Sequence, residues 1–134
     1  MRPVLPHAPP MHWLDSAALS VDGRTIIAAR TIGQAHPFIL AGYLLPAALV
    51  ELMAQCAAAG SALDVQAHSR KVGRGMLVAI QQFESFAPVP VGTTLTLTAT
   101  REQSFAPFTK ARITAQIGTA LVASATMTFH LEFE

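Results

Sequence analysis

Charge is what this chain has least of. Charged residues fill 13% of its 134 positions, where an average soluble domain has roughly 25%. Lys and Arg number 9 against 8 Asp and Glu, a net charge of +1. That leaves no dense basic face for a phosphate backbone and argues against nucleic acid as the main partner. Hydrophobic residues make up 51%, more than so few charges can shield on an isolated sphere. The composition therefore predicts a subunit that buries surface against a copy of itself, as a homodimer or a higher oligomer. Cysteine is nearly absent: Cys56 alone excludes an internal disulfide framework and fits a reducing compartment. The opening MRPVLPHAPPM is broken by prolines and lacks the apolar core of a secretory signal. A membrane span is missing too, because it needs about 20 apolar residues and Pro46, Glu51 and Gln55 interrupt the longest apolar run. With no repeat and no low-complexity linker, the expectation is one cytoplasmic domain over residues 1–134.

What is present is patterned. Leu19 and Val21 precede Asp22-Gly23, and Ile26 and Ala28 follow it. Asp-Gly between alternating runs signals a tight hairpin in which both turn residues take positive φ. Pro46 suits a first helical position. From Ala47 to about Leu63 there is no proline, and Ala54, Ala57, Ala58, Ala59 and Ala62 predict a helix apolar on nearly every side, with Gly60 loosening its last turn. Residues 64–74, DVQAHSRKVGR, are the most polar and basic stretch and read as a loop. Four segments of period two follow: GMLVAIQQFESF, TTLTLTATRE, TKARITAQI and ALVASATMTFHLEF. Pro88 and Pro90 mark a loop or bulged edge between the first two. Hairpin, one buried helix, then antiparallel strands make an α+β chain, and a sheet curled around a single apolar helix is the hotdog fold.

Three pieces of sequence resemble one family. ELMAQCAAAG at 51–60 is similar to the E-x-M-A-Q helix of hotdog 3-hydroxyacyl-(acyl carrier protein) dehydratases. LPHAPPM at 5–11 resembles their opening, and GMLVAIQQFESFAPVPVGTTLTL at 75–97 their strand and P-V-x-P-G-x-x-L turn. In character the match is nearest the branch associated with aryl polyene biosynthesis. The resemblance implies the hotdog fold, dehydration of a thioester carried by acyl carrier protein or coenzyme A, no cofactor and no metal. It also implies a site shared between two subunits, with Glu51 as its carboxylate. The fatty-acid members carry a G-H-F-P-G motif holding the catalytic His, and that motif is absent here. His36 lies 15 residues before Glu51, on the other side of the Pro-Phe pair. Aligned on Pro37-Phe38, Tyr43 lies nearer the family's His position.

The chemistry needs a base for the α proton, an acid for the departing β hydroxyl, and donors for the thioester oxygen. Glu51 lies about one and a half turns into the predicted helix, where desolvation is expected to raise its pKa toward the protonated donor form. Gln55, four residues on, shares its face and can orient the carboxyl. His36 is the best base by side-chain type. N–H groups just after Pro46 can face the thioester oxygen. Arg70, Lys71 and Arg74 can contact an acidic carrier or the phosphate of its arm.

Each residue also has a plain structural reading. Glu51 can be a paired structural carboxylate, Gln55 a core hydrogen-bonding residue, His36 the end of a strand. Tyr43 reads first as an amphipathic loop aromatic, and the basic cluster as a solvated loop. His7 and His12 lack further ligands at metal-binding spacing. His68 and His130 read as solvated or edge residues, and Cys56 as a buried inert thiol. Three functions follow: a 3-hydroxyacyl thioester dehydratase, an acyl thioesterase using the helix carboxylate to activate water, and a non-catalytic hotdog subunit whose partner supplies the missing His.

Overall fold

The computed structural model describes residues 14–34, 38–67, 72–105 and 107–133. Alternation of buried and outward residues builds its sheet. In β6 (Thr94–Phe105), Leu95, Leu97 and Ala99 are buried while the threonines between them face outward. The same period runs through β7 (Phe108–Ile117), where Thr109, Ala111, Ile113 and Ala115 point inward, and through β8 (Ala120–Phe133), with Ala123, Ala125, Met127 and Phe129. With β1 (Ser16–Leu19), β2 (Thr25–Thr31) and β5 (Val72–Ser85), they form an antiparallel sheet in the order β1-β2-β6-β7-β8-β5. One face is buried and the other mostly wet, with Thr126 a buried exception, the usual economy of an antiparallel sheet.

Across the buried face lies α1 (Pro46–Ala67), about 33 Å long at 1.5 Å per residue. Every residue from Leu52 to Ala59 is buried. Small residues make the close approach possible: Ala28, Ala99, Ala111, Ala115, Ala123 and Ala125 line the sheet's inner face, and Ala57 and Ala59 the helix. Among the larger groups, Leu49, Leu52 and Met53 are each nearly or fully enclosed, and each such side chain contributes roughly 1.5–3 kcal/mol by leaving water. The α+β architecture read from the sequence, a sheet around one helix, is the one observed.

Several local expectations change. The helix runs one turn past Leu63, to Ala67, and β5 begins at Val72, so residues 64–67 and 72–74 are not the expected loop, and 68–71 lie outside the described residues. Arg74 belongs to a strand, opposite Glu132. Gly60 does not loosen a last turn. A Cβ there would stand 2.8 Å from Ile26 Cγ2, so the glycine lets β2 close onto the helix. In the first hairpin only Gly23 has positive φ, at 75°. The Gly23 N–H bonds the Ser20 carbonyl, and Asp22 accepts from Ser20 Oγ and the Arg24 N–H. The turn is thus a longer loop built on a side-chain hydrogen bond, not the two-residue type.

A second, shorter hairpin sits immediately before the helix: β3 (Ile39–Leu40) and β4 (Tyr43–Leu44). Ala41 (φ 53°) and Gly42 (φ 84°) form its two-residue link, both in the left-handed region that such a turn requires. The hairpin is tied down by Leu44 N–H to Val89 O, Val91 N–H to Gly42 O, and Leu45 N–H to Phe38 O, all at 2.9 Å. It fixes the direction in which the helix leaves, and with it the place of Glu51.

Candidate active site

One turn of α1 brings two of the candidate residues together. Glu51 and Gln55 are four residues apart, which stacks them on one helical face. Gln55 Nε2 donates to Glu51 Oε1 at 3.2 Å. Gln55 is fully buried and Glu51 half-buried. The amide is therefore locked in the core and reaches outward to hold a carboxyl at the surface of the helix. An amide enclosed to that degree has few rotamers, so the carboxyl it binds has few orientations. The chain's own atoms do not seal Glu51 from water, unlike the dry setting expected from the apolar run.

Around this pair the helix start is built without a polar cap. Leu45 occupies the cap position, and its carbonyl accepts from the N–H groups of both Ala48 (3.0 Å) and Leu49 (3.2 Å). These N–H groups, expected to be open to a thioester oxygen, are directed at that carbonyl. No acidic residue stands in the first turn. Tyr43, three residues before Pro46, is 46% exposed, and its backbone bridges Pro90. The aromatic ring thus belongs to the hairpin at the head of the helix.

His36, Arg70 and Lys71 fall outside the described residues, as do His7, His12 and His68. Arg74 follows the far end of the helix. Glu51 and Ala67 are separated by about 24 Å of helix axis, so the start of β5 is remote from Glu51 of the same chain. His130 is not on an edge strand, since β8 lies between β7 and β5. It is half-buried, and its ring meets Phe108 edge-on at 5.3 Å.

Cys56 faces the sheet, with Sγ 3.6 Å from Leu97 O. Burial pushes its thiol up to about 12, which keeps it protonated and unreactive at neutral pH. Among the described residues, no group of three or more His, Cys, Asp or Glu could hold a metal ion. Nor is any described helix long and apolar enough to cross a membrane. Sequence reasoning missed the β3–β4 hairpin that orients the site. Its only signal was Ala41-Gly42, half of the usual Asn-Gly or Asp-Gly pair.

Comparison with known proteins places these observations. The dehydratase heterocomplex ApeI:P from Xenorhabdus doucetiae superposes with a TM-score of 0.86 at 17% identity, over 96% of this chain and 88% of that one. The PaaI protein of the E. coli phenylacetic acid degradation operon gives 0.66 at 14% identity, over 81% and 72%. Thioesterase superfamily member 2 from Mus musculus gives 0.64 at 19% identity, over 89% and 80%. At such identities the likeness shows the fold, and the fold is the hotdog. A search of curated proteins finds no significant match. The model of the ApeP-like family, described as ApeP dehydratase, matches residues 1–130, and the chain therefore belongs to the ApeP-like dehydratases.

Proposed function

We propose that this protein dehydrates a 3-hydroxyacyl thioester, presented on a carrier protein, to the trans-2-enoyl thioester, with Glu51 as the acid. The observation that carries the proposal is the Glu51–Gln55 hydrogen bond on the central helix. Gln55 holds Oε1 as an acceptor, which leaves the acidic proton on Oε2. A base takes the α proton, and the electron pair of that C–H bond forms the double bond. As the β C–O bond breaks, Glu51 gives its proton to the hydroxide, and water leaves. The base ends protonated and Glu51 ionised, and exchange with solvent restores both. Negative charge on the thioester oxygen develops during the first step. Because the Ala48 and Leu49 N–H groups bond Leu45 O, the oxygen-binding role falls to the Ala47 N–H or to donors from a second chain.

The base is assigned to His36, with Tyr43 next in line. A second chain is part of the proposal. Glu51 is only half-buried and, among the described residues, the long strand β5 is an edge of the sheet. Phe38, Leu40 and Tyr43 expose apolar surface at the head of the helix. That chain is either another copy or a paralogous hotdog subunit, and the ApeI:P neighbour, a heterocomplex, favours a paralogue. Arg70, Lys71 and Arg74 are assigned to the carrier's acidic surface, because Arg74 follows the end of the helix remote from Glu51 and its reacting atoms. A thioesterase is the second reading. It is favoured by the fold shared with the mouse thioesterase and by the access of water to a half-buried carboxylate.

Turnover of a 3-hydroxyacyl thioester on a pantetheine surrogate and on acyl carrier protein, followed by mass spectrometry, tests the assignment. Wild type is compared with Glu51→Gln, His36→Ala and Tyr43→Phe. Loss of water abolished by Glu51→Gln and His36→Ala supports both roles. Loss abolished by Glu51→Gln and Tyr43→Phe, but not His36→Ala, moves the base to Tyr43. Release of free thiol identifies the thioesterase.

A further inference from the structure

We draw no further inference here: the strongest candidate, the exposed apolar surface of the β3–β4 hairpin at the head of the central helix, formed by Phe38, Leu40 and Tyr43, carries nothing because nothing in the structure shows what covers it.

Discussion

Gln55 contributes to the proposed chemistry only through Glu51. Truncating it in Gln55→Ala removes the donor to Oε1 and loosens the orientation of the carboxyl. Misplacement of a reacting group by about 1 Å costs on the order of 100-fold in rate. The expected outcome is a kcat lowered by roughly that factor, with KM little changed and a thermal midpoint that still reports a folded protein. Steady-state kinetics beside a melt checks it; equal losses in stability and rate would make Gln55 a packing residue. This pair was legible in the sequence because a spacing of four on a helix leaves little freedom. Ala41 was not. Left-handed φ costs a non-glycine residue roughly 1–2 kcal/mol, and the β3–β4 pairing together with long-range hydrogen bonds from Leu44 and Val91 holds it there. Ala41→Gly is expected to stabilise the fold by about 0.5 kcal/mol, the relief of strain being partly offset by glycine's unfolded-state entropy; denaturant melts measure it.

Cys56 gives a pH dependence with a definite sign. Its thiol stays protonated to about 12 in the folded chain, while the unfolded chain loses the proton near 9. Stability from this group is complete below about pH 9 and is lost as pH rises through 12. Cys56→Ala should flatten the decline in stability above pH 9, as urea titrations at several pH values would show. Iodoacetamide should leave the native thiol untouched at pH 7.

At the scale of elements, the helix and strands were readable because each has an unbroken period, while their ends were not. Residues 64–67, DVQA, look like loop by polarity, yet nothing in them stops a helix; the helix ends only after Ala67. Gly60 was read as a weak point because a glycine's cost is local and its reason for being there is not. Ile26 comes from β2, more than thirty residues away in sequence, and no window along the chain contains both. Gly60→Ala should therefore destabilise the protein by roughly 1–3 kcal/mol through overpacking. That sign is opposite to the gain of about 1 kcal/mol that alanine gives in an open helix. A thermal midpoint higher than wild type would show that Ile26 moves aside freely.

The whole molecule was legible as an order of elements, hairpin then helix then strands, and that order sufficed for the hotdog architecture. Strand order was not legible. That β5 pairs with β8 and ends the described sheet opposite β1 is a long-range arrangement set by which faces must be buried together. The candidate site was legible only as far as the helix carries it. Glu51 and Gln55 emerged from one segment, whereas His36, the proposed base, lies outside the described residues. A chain with 13% charged residues, a long strand at the edge of its described sheet and exposed Phe38, Leu40 and Tyr43 is expected to be no smaller than a dimer by sedimentation, alone or with a paralogous hotdog subunit. A stable monomer with full activity would contradict the shared site.

The most direct measurement is the mass change of a 3-hydroxyacyl chain on acyl carrier protein, incubated with this protein and, in parallel, with a paralogous hotdog subunit added. The account predicts loss of one water with the thioester intact, abolished by Glu51→Gln in this chain. Hydrolysis of the thioester, or dehydration unaffected by Glu51→Gln, would contradict it.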